Sequence, residues 1–508
     1  MNPPIPSADD PASSGAPTTE AVVNQFGKVE TAGVDFIPEH ARHGKPLDLF
    51  FVWASVGTNF LYVLFGGGLV ASGLTIGQAF LVAGLASLFW IAPGITAMSG
   101  PSSGTPSAIV TRAVYGIRGN RIFGAGVNWL LVIVFEGVAL ASGTLAGVAL
   151  LDFLGVKQQN WVTAAVAVVL GIAVFVISFF GHATIIRVSV YLSGASAVFM
   201  LGLAAFVLPK ASTTVHASAA PLEGSSFWSV FFGGLVLLAA FPLTWGTSAD
   251  FARYLPSNTP GHKVAAWTAF GGALPQFALT SLGILAGTAV DANNLQLSLE
   301  EILPPWFYVA LLSLVVMGSM ANLVPTFYSS GLLLQGIGLR VRRSRSVAID
   351  AVIGGFFCTY ALVSPTFYAG VSDFAGVMLL VLGPAFGVYI ADMAIRRNHY
   401  NGLQLHDERR GSPFWYWRGF NLAGALALVT GAVAASLCAA TKIFVGPVNH
   451  LLNGADISSI AGPLAAGATY YLARRAAGVV PPGGPAEGAR DRALADGDDL
   501  ITSSQNRP

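Results

Sequence analysis

Residues 241–256 read Phe241-Pro242-Leu243-Thr244-Trp245-Gly246-Thr247-Ser248-Ala249-Asp250-Phe251-Ala252-Arg253-Tyr254-Leu255-Pro256, and they close an apolar stretch that begins at Phe227. Up to Ala240 a bilayer would accept the stretch as a helix. From Phe241 it is poor in helix formers, with Pro242 and Gly246 inside it. A helix in lipid must satisfy its own backbone, so a break at mid-membrane is tolerated only where it faces protein or a watery cavity. The segment therefore reads as a discontinuous transmembrane helix. Its last eight residues read as the helix end. Asp250 and Arg253 lie three apart on one face, Phe251 and Tyr254 have the amphipathic character of an interfacial belt, and Pro256 stops the helix.

The rest of the chain fits a membrane. Of its 508 residues 54% are hydrophobic and only 10% charged, with a mean hydropathy of +0.65, against roughly 25% charged in soluble domains. Twelve apolar segments of spanning length stand near residues 47–72, 75–99, 122–151, 160–180, 184–208, 227–250, 264–289, 306–335, 346–365, 368–394, 419–440 and 456–473. If the N-terminus is cytoplasmic, all of the 26 Lys and Arg except Lys157, Lys210 and Lys442 fall on the inner side. One missed or invented span would flip every later loop, so the positive-inside rule supports the twelve together, with both termini cytoplasmic in a plasma or inner membrane. A net charge of +1 gives no reason to expect nucleic acid. Cys358 and Cys438 fall inside apolar spans as small buried hydrophobes, and no metal site is suggested. Residues 1–46 and 476–508 are rich in Pro, Ser, Gly and charge, and read as disordered cytosolic tails flanking one transporter-sized domain at 47–475. Neither tail has the apolar core of a signal peptide.

A second candidate break lies in the first span, where Gly66-Gly67-Gly68 follows Asn59 and Tyr62. Interrupted helices five spans apart are the mark of an inverted repeat, here spans one to five and six to ten, with eleven and twelve peripheral. The alternative is that these glycines and Pro242 only permit close packing and a kink.

Polar residues inside the spans are expensive. Glu136 sits at the centre of the third span, where an acid costs about 2.5–3.5 kcal/mol even on lenient insertion scales. No Lys or Arg lies mid-span elsewhere to neutralise it, which leaves a bound proton, a substrate donor, a cation, or hydrogen bonds from neighbouring helices. In the eighth span Pro325 leaves the Ala321 carbonyl without its helix partner, beside the Asn322 amide. That pair suits a polar ligand or a cation, or an interhelical bond at a proline kink. Asp373, near the outer end of the tenth span, reads equally as a gate or a solvated end. Asp48, Asp350 and Asp392 read as topological charges at inner span ends, and His182 as a capping or loop residue.

Four ordered segments carry a family resemblance. Asp250 to Pro256 resembles the Asp-aromatic-Ser-Arg-Tyr signature that ends the sixth span of the purine-cytosine permease family, within the nucleobase:cation symporters. Arg112-Ala113-Val114-Tyr115-Gly116-Ile117-Arg118-Gly119-Asn120 resembles the family's loop before the third span. Asn322 with Pro325, Tyr328 and Ser329 resembles its eighth-span motif, and Tyr389-Ile390-Ala391-Asp392 before Arg396-Arg397 the end of its tenth. The resemblance covers residues 47–475. It implies an all-α polytopic protein with twelve transmembrane helices, a LeuT-type 5+5 inverted repeat with helices one and six discontinuous, working by alternating access.

The resemblance also implies cation-coupled import of a nucleobase or similar planar heterocycle, without any bound cofactor beyond co-transported H+ or Na+. Its ring-sandwiching aromatics fall on Phe135 and Phe241, Asn322 would read the ring edge, and Asn59 would contribute from the first span. The departures matter as much. Leu323 stands for a second Asn, Ala139 for a third-span polar group, and Glu136 has no counterpart, so purines, allantoin-like compounds and protonated heterocycles all remain open. Sodium-coupled relatives use eighth-span hydroxyls at positions that correspond to Ala321 and Asn322, which favours protons, while Ser319 or Ser329 would restore a sodium site. Asp250, Arg253 and Asp373 are the gate candidates. A membrane enzyme would need a clustered His, Asp or Cys constellation, and a channel a repeated filter, and neither is visible. Within transport the alternative is another small solute, such as an amine, amino acid or vitamin.

Overall fold

The helix that starts at Gly224 ends at Ala240, and the chain then turns through a 3-10 segment at Pro242–Thr244 before a short helix at Ala249–Ala252. Pro242 lacks an N–H and Trp245 leaves helical geometry at φ −91°, ψ 41°, so the sixth span is broken where its composition says. The computed structural model describes residues 24–212, 222–339, 341–364, 367–441 and 443–478, apart from side chains at 294, 296, 297 and 367–375. Among the described residues all twelve expected spans are helical. Eight are single helices long and apolar enough to cross a membrane, and the first span makes a ninth as the pair Pro46–Gly57 and Leu61–Ala71, bent by 55°. Spans two to five are Ile76–Ser103, Ile117–Phe153, Asn160–Phe180 and His182–Lys210, and seven to nine are Gly261–Ala289, Pro305–Gly336 and Arg343–Val363. Span ten is Phe367–Arg396, eleven Leu422–Cys438 and twelve Ser458–Ala476.

The first span is broken in a different place from the one its glycines suggested. The bend falls at Thr58-Asn59-Phe60, with Thr58 at φ −86°, ψ 73°, while Gly66, Gly67 and Gly68 lie inside the second helix. Those glycines serve close packing. A Cβ on Gly66 would strike the Thr280 carbonyl of span seven, and one on Gly283 would strike the Val63 carbonyl in return. The break itself is made by polar side chains bonding their own backbone, since Thr58 Oγ1 donates to Ala54 O at 2.7 Å and Asn59 Oδ1 accepts from Leu61 N at 3.0 Å.

The spans gather into three packed groups. Spans one and two pack around seven, and six lies on two; spans three, four, eight and nine pack on one another; span five bridges these two groups, against one and eight; and ten, eleven and twelve form the third group.

Residues 24–45, expected as part of a solvated tail, are folded across one end of the bundle, here called the near face. Glu30 N donates to Phe180 O at 3.0 Å, Ile37 N to Gly104 O at 2.8 Å and His43 N to Tyr254 O at 2.6 Å. This strap changes the reading of the sixth-span foot, because Phe251 and Tyr254 are each 1% exposed and form no interfacial belt. Asp350 and Asp392 are also fully buried and are not solvated span ends. Asp392 accepts from Arg396 Nε at 2.9 Å, Tyr400 at 2.9 Å and Tyr470 at 2.7 Å, tying spans ten and twelve together. The tail assignments for residues 1–23 and 479–508 lie outside the described residues.

Candidate functional site

The two breaks lie side by side. Trp53, one turn before the first break, packs edge-on against Trp245 in the second at 5.1 Å and against Phe251 at 5.6 Å. Just beyond the breaks, Tyr62 meets Phe241 at 5.1 Å and Phe65 meets it at 5.7 Å. Span eight completes the arrangement at Gly318, where a Cβ would stand 2.9 Å from the Thr58 carbonyl oxygen. Freed backbone groups, aromatic rings and a polar helix face thus converge in the middle of the molecule. Ser248 holds the broken sixth span against span two, donating to Pro93 O at 2.8 Å and lying 2.8 Å from Thr96 Oγ1.

Of the residues expected here, Asn59, Phe135 and Phe241 are half-buried. Asn322 is 3% exposed, and its Oδ1 is buried without a hydrogen-bond partner. An amide oxygen left so is costly unless a donor arrives, by about 1–3 kcal/mol. Asn322, Thr326 and Ser329 share one helix face at spacings of four and three, and Ser329 lies beside Asp250 at the foot of span six. That face looks toward the broken helices. Ala321 is buried next to it. Ser319 turns elsewhere: its Oγ donates to Val315 O at 3.0 Å, and its Cβ would lie 2.9 Å from a Cβ placed on Gly143 of span three. The position that approaches the first-span break is Gly318, so Ser319 is not aimed at the carbonyls there.

Glu136 is brought to a different place. It is fully buried, and its Oε2 would stand 3.6 Å from a Cβ on Gly354 of span nine, with Phe327 Cζ 3.4 Å from the same point. Phe327 is roughly 140° around span eight from Asn322. The structure therefore puts Glu136 among spans three, eight and nine, beside Gly354 and Phe327. Among the described residues no group of three His, Cys, Asp or Glu could hold a metal ion. The Asp373 side chain lies outside the described residues.

The near face is closed by a charge cluster that sequence reading did not find. Glu30 of the strap accepts from Arg253 at 2.9 Å, Tyr254 at 2.6 Å, Tyr328 at 3.1 Å and the His182 backbone N–H at 2.9 Å, with Arg343 Nε 3.6 Å away. Arg253 also donates to Gly33 O at 2.6 Å. One carboxylate thereby ties the ends of spans five, six, eight and nine. Burial alone would raise the Glu30 carboxyl, but Arg343 and Arg253, with the Tyr254 hydroxyl, hold it below its ordinary value of 4.5. The expected pair Asp250 and Arg253 divide their work: Asp250 Oδ1 caps the helix at Ser107 N, at 2.8 Å, while Arg253 faces the strap. Beside the strap lies a half-open polar cavity of ≈ 570 Å³, bounded by Glu30, Arg112, Arg121, Gln335, Arg343 and Glu408. Nothing in a Ser- and Pro-rich segment marks Glu30, whose partners are more than 150 residues away in the chain. Arg343 was masked by a sufficient explanation, a basic loop.

Comparison with known proteins adds the context. Residues 36–462 match the family model described as permease for cytosine/purines, uracil, thiamine, allantoin. A putative purine-cytosine permease of Bacillus subtilis (strain 168) is 25% identical over 466 residues, covering 88% of this chain and 96% of that protein. A putative allantoin permease of Escherichia coli (strain K12) is 22% identical over 473 residues, covering 87% and 94%. Among solved structures, Mhp1, a nucleobase-cation-symport-1 family transporter, in a closed conformation with bromovinylhydantoin bound, superposes with a TM-score of 0.70 at 18% identity, over 90% of this chain and 97% of that one.

Proposed function

The chain belongs to the family of permeases for cytosine/purines, uracil, thiamine and allantoin, and from that premise we propose that it imports a nucleobase or an allantoin-like compound together with H+ or Na+. It is a multi-pass membrane transporter of the LeuT-type fold and not an enzyme. The observation that carries the substrate class is the buried, unpartnered Oδ1 of Asn322 facing two broken helices. Such an acceptor suits a ring N–H or exocyclic amine, and rejects ligands that leave it unpaired.

In this reading the ring lies between Phe135 and Phe241, with Asn322 at its edge and Asn59 contributing from the first-span break. Stacking fixes the plane, and one or two hydrogen bonds set the register within it. The near face is cytoplasmic, because the basic loops gather there. The strap then closes the route inward, and release of cargo requires the Glu30 cluster to part, with Arg253 on the sixth-span foot as the moving partner and Asp373 as the candidate gate at the other end. Ligand binding to the folded protein raises its melting temperature by mass action. A thermal-shift screen of purified protein with cytosine, uracil, hypoxanthine, allantoin and thiamine, with and without sodium, is expected to give a shift with at least one of them. A shift with amines or amino acids alone would overturn the assignment.

A further inference from the structure

Span eight carries two polar faces. One holds Asn322, Thr326 and Ser329. The other holds Phe327 and Ser330 and packs against spans three and nine, where Glu136 and Asp350 are both fully buried. Asp350 and Gly354 stand one turn apart on span nine, and Glu136 Oε2 lies beside Gly354, so the two carboxyl groups occupy successive levels of one seam. Asp350 is near enough to act electrostatically on Glu136, and Ser330 Oγ lies close to both while making a well-formed hydrogen bond to neither. Four buried oxygens there lack partners: Glu136 Oε1 and Oε2, Asp350 Oδ2 and Ser330 Oγ. The one bond present runs from Trp129 Nε1 to Asp350 Oδ1, at 2.8 Å.

Among the described residues no cation neutralises this seam. Span three brings Glu136 and the neutral Trp129 indole, span eight the Ser330 hydroxyl, and span four has no charged residue between Asn160 and Phe180. Span nine brings Asp350 and, toward the far side, the Cys358 thiol. Arg343, two turns below Asp350, is already engaged by Glu30 and by the carbonyls of Ser178 at 2.6 Å and Phe179 at 3.0 Å. Two adjacent carboxylates with one indole donor between them and no counter-charge cannot both be ionised in such a place. A metal cation is the rival occupant of these four oxygens, and competition by sodium at constant pH tells the two apart.

We propose that Glu136, Ser330 and Asp350 form a proton-carrying relay in the scaffold, separate from the cargo site, and that this relay is where the driving ion binds. It rests on the transport reading only for its purpose. A proton leaving the Glu136 carboxylic acid is accepted by Ser330 Oγ as that hydroxyl gives its own proton to the Asp350 carboxylate. One O–H bond is lost at Glu136, one is gained at Asp350, and Ser330 ends as it began. Span eight links relay to cargo, because Ser330 lies two turns from Asn322, and on span three Phe135 directly precedes Glu136.

The test uses the full chain in lipid vesicles. Infrared difference spectra across a pH titration report protonated carboxyl groups directly, and the expected result is a band that is lost in both E136Q and D350N. Glu136→Gln keeps the shape of the protonated acid, and an unchanged melting temperature shows that it folds. With uracil, hypoxanthine and allantoin as probes, accumulation driven by an imposed pH gradient should fall by about ten-fold or more in E136Q, the size of an ordinary coupling between sites. Equilibrium exchange of the same probe should persist. A carboxyl band indifferent to both substitutions, or one erased by sodium at constant pH, would overturn the relay. If no probe is carried by the wild type and the band still vanishes in E136Q, the cargo assignment fails and the proton site stands.

Discussion

Replacing Glu30 by Gln is expected to unseat the strap without unfolding the bundle. The Glu30 and Arg253 side chains are 1% and 0% exposed at a separation of 2.9 Å, and Arg343 is 3.6 Å from the same carboxylate. Removing one partner of a buried ion pair typically costs about 3–5 kcal/mol, because the other charge is left uncompensated. Here two guanidinium groups are left, but both can reach water if the strap lifts. The loss should therefore fall on the closed state of the near face and shift its population toward open by roughly two to three and a half decades. The backbone donors of Glu30, Ile37 and His43, bonded to Phe180, Gly104 and Tyr254, report that opening. Amide hydrogen exchange at these three should accelerate by about 100-fold or more in E30Q, while amides in spans ten to twelve keep their protection. Unchanged exchange at the three amides would refute the reasoning. So would acceleration spread evenly through the bundle, which would make Glu30 a general stabiliser and not a latch.

Three further outcomes follow from the same geometry. Because the Glu30 carboxyl is held below 4.5, its stabilisation is fully present above the ordinary glutamate range and is lost only as pH falls through the lowered folded value. Strap protection measured by exchange should be flat from neutral to about pH 5 and collapse in stronger acid. Asn322→Ala should weaken binding of whichever nucleobase or ureide gives a thermal shift by about 1–3 kcal/mol, with little effect on the melting temperature of the empty protein. Gly66→Ala drives a methyl into the Thr280 carbonyl and within 2.8 Å of Ile284 N, so thermal unfolding should show an overpacking loss of about 1–3 kcal/mol with the ligand shift still present.

The spans were legible because a bilayer imposes length and apolarity on each of them, and because all but three of the 26 Lys and Arg fall on one side. The break in span six was legible because Pro242 removes a backbone donor at a place no sequence can disguise. The break in span one was not, since Thr58 and Asn59 end the helix through bonds to their own backbone, while the more conspicuous Gly66-Gly67-Gly68 answers to span seven. Glu136 stood out by its cost in lipid, yet the direction of its carboxylate depends on Gly354, far away in sequence. The sixth-span foot was read as meeting lipid headgroups, because a local reading of Phe251 and Tyr254 has no means of knowing that residues 24–45 return to cover them.

That strap also sets an order of manufacture. Glu30 leaves the ribosome before these twelve spans, whereas Arg253 and Arg343, which neutralise it, are made more than 200 and 300 residues later. Until the ninth helix is inserted the carboxylate has no buried place to go, and the mouth under it cannot seal. The nascent transporter is thus held unfinished at one end through most of its synthesis, and closure certifies that nine helices have arrived.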